Sequence, residues 1–344
     1  VEAEFDNVRA AFAWSRENAE VTQAMRLVSA LQPLWLTGGS GSGPWGRAGE
    51  GLSWFAAVFD ESVTPIAPAV QARALADWAV LDAAVGAATA IDQAHQALAI
   101  ARSLDDPALL ARALFACGSV AIDDPGAARS YFAEALALAR ETGDAWMACN
   151  ILGWRAYTAY IDGELVEACA AAEEGQTLAD RIGDEFVSRH CRWSLSLAEL
   201  LKGDLAAGLA RLDALIADAD AAHDMLRWAN SQLSLGFGLM YTGDWIAARS
   251  AVDELRKLAA ELGPVHQALA ESGIAATSLA AGDIDEAAAA AEAATTASME
   301  ARGGGAGLPL QHQHDRAQGP QDQHQPGDDA GPVGAGDFLF VLVL

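Results

Sequence analysis

A phosphate-binding loop needs the pattern G-x-x-x-x-G-K-[ST], because backbone amides cradle the phosphates while a lysine reaches them. The chain has two lysines: Lys202 in Leu-Lys-Gly-Asp and Lys257 in Leu-Arg-Lys-Leu. Neither has that context, so nucleotide hydrolysis by such a loop is excluded for this chain. Gly41-Ser-Gly43-Pro-Trp-Gly46 fits G-x-G-x-x-G. No strand pattern precedes it and no βαβ unit surrounds it, so it reads as linker within a Gly/Ser loop over 37–46. His312 and His314, with His324 near them, have metal-ligand chemistry, but a polar tail does not hold ligands in place. His190 and Cys191 are neighbours on a helical stretch and point to different faces. They read as a buried thiol beside a packed or exposed imidazole. No H-E-x-x-H, G-x-S-x-G or D-x-D-x-D-G pattern occurs, and the carboxylates fall at helix caps and on solvated helix faces. No residue is therefore assigned to catalysis, to a cofactor or to a metal.

The scaffold behind these side chains is acidic and apolar at once. Of 344 residues, 47 are acidic and 21 basic, giving a net charge of −26, while 52% are hydrophobic. That apolar share builds a core, which a disordered acidic chain cannot do. Such a charge repels phosphates, so direct nucleic-acid binding by this chain is excluded. No run reaches the roughly 18 apolar residues of a membrane span, and the apolar stretch 338–344 is too short to cross. The start, Val1-Glu-Ala-Glu-Phe-Asp6, lacks the basic residues and apolar run of a signal peptide. Cys117, Cys149, Cys169 and Cys191 show no tight pairing and no C-x-x-C, and read as free thiols of a cytoplasmic protein. Val1 stands where methionine is usual: either an alternative start codon is read literally, or the chain is a piece of something longer.

The elements follow from a period. Turn-forming pairs begin at Gly143, Gly163, Gly183, Gly203, His223, Gly243, Gly263 and Gly282. All but the last fall on a 20-residue grid, and Asp or Glu follows every one except Gly263, which precedes Pro264. Glycine suits the left-handed position that ends a helix, and the acid caps the next one. Each window holds a helix of about four turns and a tight turn. Alternate windows resemble each other, so the repeat is 40 residues. One set carries a small residue at 168, 208, 248 and 287, the other at 156, 196, 236 and 275. Upstream, helices are expected near 2–19, 21–36, 47–59, 68–85, 88–103, 107–122 and 126–142. Helix pairs at a fixed period stack into a solenoid. The expectation is an all-α, right-handed α-solenoid of antiparallel helix pairs over 1–302. From 303 to 344 the helical pattern stops, and the Gln/His/Asp/Pro/Gly composition reads as a disordered or out-of-frame tail. Trp14, Trp35, Trp54, Trp78, Trp146, Trp154, Trp193, Trp228 and Trp245 all fall in expected helices and read chiefly as core between repeats, the remainder as groove anchors.

The paired-helix unit, with its turn Gly-Asp and a small residue five positions on, resembles the tetratricopeptide-like superfamily. The opening is more specific. Glu4-Phe-Asp-Asn-Val-Arg-Ala-Ala-Phe-Ala-Trp14, then Ala24-Met-Arg-Leu-Val-Ser-Ala-Leu31 and Leu34-Trp-Leu36, resembles the start of the helical-repeat region in large LuxR-type bacterial transcriptional regulators with an NTPase module, of the MalT and AfsR design. Gly49-Glu-Gly-Leu-Ser-Trp-Phe55 and Ala94-His-Gln-Ala-Leu-Ala-Ile-Ala-Arg102 continue the likeness, which extends to about residue 302. In such regulators the repeats sense an inducer or partner, an NTPase lies upstream and a helix-turn-helix downstream. The resemblance implies a truncated, non-catalytic repeat arm that lacks both. The alternative is a free-standing adapter for protein partners.

The superfamily's groove is lined by the first helix of each pair. Counting back from the turn glycines places it at Asn150, Gly153, Tyr157 and Tyr160, then His190, Trp193, Leu197 and Leu200, then Asn230, Leu233, Phe237 and Met240. The implied binding set is Asn150, Tyr157, Tyr160, His190, Trp193, Asn230 and Phe237, for a protein, an extended peptide or a small-molecule inducer. The competing reading of the same positions is packing.

Overall fold

A computed structural model describes residues 4–36, 46–60, 66–84 and 89–303. Sixteen helices and no strand occur among them: α1 (Phe5–Glu17), α2 (Val21–Ala30), α3 (Gln32–Leu36), α4 (Gly46–Asp60), α5 (Pro68–Ala84), α6 (Ala90–Ala101), α7 (Pro107–Val120), α8 (Pro125–Thr142), α9 (Ala145–Ile161), α10 (Leu165–Ile182), α11 (Glu185–Leu201), α12 (Leu205–Ala221), α13 (Met225–Thr242), α14 (Trp245–Leu262), α15 (Pro264–Ala281) and α16 (Ile284–Gly303). The expected helix over 21–36 is two helices, because Pro33 has no amide hydrogen to continue the ladder and sits in the first turn of a new one. The Gly/Ser loop 37–46, apart from Gly46, and the tail beyond Gly303, with its three histidines and apolar end, lie outside the described residues.

The turns work by the chemistry the period implies. Gly143, Gly163, Gly183, Gly203, Gly243 and Gly282 have φ between 71° and 87°, the left-handed conformation that glycine adopts without strain. His223 takes the same role at φ 53°, with a side chain attached. Gly263 differs: φ 100° and ψ 176° lead the chain into Pro264. Asp144, Asp184, Asp204, Asp224 and Asp244 each accept a hydrogen bond from the amide three residues on. Glu164 stands at the same place and makes no side-chain cap, its carboxylate being one methylene further out.

Consecutive helices pack in antiparallel pairs, and the odd-numbered ones also meet each other in sequence: α5 with α7, α7 with α9, α9 with α11, α11 with α13, and α13 with α15. They form a continuous inner layer, with the even-numbered helices outside it. Small residues let the layers close. A Cβ on Gly236 would lie 2.7 Å from Val252 Cγ2 and 3.3 Å from the Ala248 carbonyl oxygen. On Gly208 it would lie 2.8 Å from Leu200 Cδ2 and 3.2 Å from the Ser196 oxygen. These are the small positions of the two alternating windows, set face to face.

The core is a string of clusters. Phe5, Phe12, Met25, Trp35, Trp54, Phe55 and Leu81 fill the first, whose aromatics make it bulkier than the rest. Alanine and leucine from α5 to α11 fill the next, and smaller groups follow around Leu212 and Leu255. Tryptophan is divided between the core and the surface, and the exposed ones are not on the inner face at α9, α11 and α13. Trp35, Trp54, Trp193 and Trp228 are buried, whereas Trp14 and Trp245 are exposed. The four cysteines are free thiols. Among the described residues no helix is long and apolar enough to cross a membrane.

Candidate inner-face binding site

Three helices of the inner layer, α9, α11 and α13, bring one aromatic and polar group together. Helical spacing puts Trp154, Tyr157 and Tyr160 on one side of α9, and His190 and Trp193 on the facing side of α11. Trp154 meets His190 edge-on, with ring centroids 5.2 Å apart, and Tyr157 lies 4.9 Å from Trp193. Tyr157 stacks with Tyr160 at 6.1 Å. On α13, the Arg227 guanidinium carbon sits 4.9 Å from the centroid of the Trp193 ring, a cation–π contact. The Trp193 indole donates to Ser234 Oγ at 3.0 Å, and that hydroxyl donates to the Asn230 carbonyl at 2.7 Å.

Beneath the rings the charges are unbalanced. Asp224 accepts from the Arg227 amide through Oδ1 at 3.1 Å, capping α13, and from Arg189 Nε through Oδ2 at 2.8 Å. Arg189, Arg227 and Asp224 are all buried. Two buried guanidiniums therefore accompany one buried carboxylate, and only that of Arg189 bonds to it. Burial holds the Arg227 guanidinium below its ordinary pKa, an effect that the Asp224 charge opposes. His190 is held well below the usual imidazole value by burial first and by the Arg227 charge second, so it is neutral. Burial also pushes the Tyr157 hydroxyl up to about 12. Several polar atoms here have no hydrogen-bond partner among the described residues: Arg189 Nη1, His190 Nε2, Arg227 Nε and Ser231 Oγ. An orphaned buried donor or acceptor costs about 1–3 kcal/mol.

Of the sequence-derived set, Tyr157, Tyr160, His190 and Trp193 belong to this single group. Asn230 joins it through its main-chain carbonyl alone. Asn150 donates to the Trp146 carbonyl at 2.8 Å, within its own helix. Phe237 is half-buried and packs with the cluster around Trp228 and Leu255. Tyr160, His190 and Trp193 are buried, while Asn150, Trp154, Tyr157, Asn230 and Phe237 are half-buried.

Counting groove positions does not reach Arg189, Arg227 or Asp224. A signal for Arg227 exists in the period all the same. Positions 147, 187, 227 and 267 are equivalent at 40-residue spacing and hold Met, Val, Arg and Gln. Met147 and Val187 are buried apolar residues, so an arginine replaces a core side chain in the third unit.

Elsewhere, an open cavity of about 850 Å³ lies over the outer face of α14, lined by Trp245, Ile246, Arg249, Asp253 and Lys257 among others. No group of three or more His, Cys, Asp or Glu side chains gathers as a metal site among the described residues.

No family model matches the chain. It is 43% identical over 303 residues to "Putative HTH-type transcriptional regulator Rv0890c" of Mycobacterium tuberculosis, and likewise to the Mycobacterium bovis protein Mb0914c of the same description. The match takes in 85% of this chain and 33% of each relative, so the chain spans about a third of their length. In fold it is similar to a Rap protein crystallised with competence and sporulation factor, with a TM-score of 0.63 and 14% identity over 82% of this chain and 75% of that one. It is also similar to the apo form of RapI, with a TM-score of 0.57 and 12% identity over 74% of this chain and 92% of that one. The fold is thus a tetratricopeptide-like solenoid, and the sequence is related to one region of larger proteins named as transcriptional regulators.

Proposed function

We propose that this chain is the non-catalytic, ligand-binding repeat arm of a LuxR-type transcriptional regulator, and that its inner face at α9, α11 and α13 receives a protein, peptide or small-molecule inducer. One observation carries the reading. Orphaned buried polar atoms and a surplus buried charge gather in a single aromatic group on the inner layer. A repeat kept only for packing would fill position 227 with an apolar residue, as Met147 and Val187 do in the equivalent units. The 43% identity to part of proteins named as transcriptional regulators supports the regulatory context. The Rap protein of the same fold was crystallised with competence and sporulation factor, which is in keeping with a receptor role for this architecture.

A ligand seated against three successive inner helices fixes their stacking. In a solenoid, each unit rests only on its neighbours, so that change passes along the array to whatever the ends carry. The test uses Tyr157 and Phe237, half-buried members of the set that pack against core clusters, so folding is checked alongside. Partners recovered on the immobilised chain should be lost with Tyr157→Ser and Phe237→Ser together, at unchanged helical circular dichroism. Equal recovery by both forms would overturn the reading.

The adapter reading has its own observation. Ile246 and Trp245 are exposed beside the α14 cavity, a surface suited to a protein partner. Recovery that depends on Trp245 and not on Tyr157 and Phe237 would favour it.

A further inference from the structure

The surplus charge at the inner face has a sign and a place. Arg189 and Arg227 carry two positive charges, and Asp224 supplies one negative charge between them. Among the described residues no other buried carboxylate pairs with either guanidinium. Glu185 approaches Arg189 Nη1 only to 3.9 Å, with its side chain almost wholly in solvent. Asp218 is engaged by Arg192, and Asp180 accepts from Ser188 at 2.6 Å. Arg227 Nε and Arg189 Nη1 are buried and have no hydrogen-bond acceptor among the described residues. The chain as a whole carries 26 surplus negative charges, so a buried cluster of positive charge runs against the sign of its composition. A buried guanidinium is satisfied best by a carboxylate, which takes two of its N–H groups at once. The Trp193 ring lies 4.9 Å from the Arg227 guanidinium carbon and Tyr157 packs on Trp193, offering an apolar wall beside the charge.

We propose that the inner face binds its ligand through a carboxylate set next to an apolar or aromatic group, with Arg227 as the principal anchor and Arg189–Asp224 as the pair that positions it. The inference rests on the binding reading above and names the ligand's chemistry. A peptide C-terminus and a small free acid share that chemistry.

The experiment titrates the full chain with N-acetyl-phenylalanine and with its amide. It repeats the titration with a pentapeptide ending in phenylalanine, bearing a free or an amidated C-terminus. The readouts are melting temperature and the NMR resonance of the Trp193 indole N–H, which is bonded to Ser234 inside the cluster. Each acid should bind at least about tenfold more tightly than its amide, as a charge-assisted hydrogen bond provides. The acids should also move the Trp193 resonance. Arg227→Met places in the third unit the residue that the first unit holds at Met147, and should keep the fold while losing the preference for acids. A pentapeptide acid bound much more tightly than the acetylated amino acid assigns a peptide terminus, and parity assigns a small acid. Equal binding of acid and amide, no binding of either acid, or a preference that survives Arg227→Met overturns the proposal. Partner recovery that depends on Tyr157 and Phe237, with no preference for acids, would leave the binding reading standing and remove the carboxylate alone.

Discussion

His190 shows how much the inner face departs from ordinary packing. Its ring lies against Trp154 and Trp193, and its Nε2 is buried without a partner. Burial depresses its folded-state pKa well below 6.5, so on acidification the unfolded chain takes up the proton first. The stability that this residue contributes is complete above about pH 6.5 and is lost as pH falls toward the folded-state value. The slope approaches about 1.4 kcal/mol per pH unit. His190→Phe should flatten the dependence of unfolding free energy on pH between 6.5 and 5, measured by urea titration. A variant with the same slope as the parent would contradict this account of His190. The sequence made Tyr157, Tyr160, His190 and Trp193 legible, because a helical face and a turn count suffice to find them. It concealed Arg189 and Asp224, since pairing between α11 and the cap of α13 depends on how successive pairs stack. Nothing in a 40-residue count encodes that stacking.

At the level of the element, the turn is the unit that the chain repeats. Gly at the left-handed position and Asp at the cap recur because each removes a specific cost: strain from a Cβ in one case, an unpaired amide in the other. His223 is the exception that measures the first cost. It holds φ 53° with an exposed side chain, where the neighbouring units use glycine. His223→Gly should therefore raise stability by about 1 kcal/mol, read as a higher urea midpoint at unchanged slope. No change or a fall would show that His223 makes contacts worth more than its strain. Helix boundaries from 107 onward follow closely from this punctuation. The break at Leu31 in the expected 21–36 helix does not, because Pro33 is tolerated in a first turn and so marks a start as readily as a stop. At Gly263 the grid holds and Pro264 marks the exception: it replaces the capping acid, and the backbone moves to φ 100°, ψ 176°.

For the whole molecule, stability is the sum of neighbouring interfaces, and the interfaces differ. Most buried side chains of α16 are alanines, at 287, 290, 294 and 297, while α11 buries Val187, Trp193, Leu195, Leu197 and Leu200. Burying larger apolar area stabilises more, by about 25 cal/mol per Å². Amide hydrogen exchange should accordingly be fastest toward α16 and slowest in α9 to α11; uniform protection along the array would mean global rather than stepwise opening. Against that background the inner face stands out as a place where well-packed helices carry a buried charge, which the proposed function assigns to a ligand rather than to folding. The most direct test is the unfolding free energy of Arg227→Met without ligand. The substitution leaves the Asp224 cap intact, because the cap accepts from the main-chain amide of residue 227, and it leaves Arg189 and Asp224 as a balanced pair. If Arg227 is held for a ligand, the variant should be as stable as the parent or more stable by about 1–4 kcal/mol, as for other buried charges replaced by apolar residues. A loss of about 2 kcal/mol or more would make Arg227 a structural residue and contradict the account.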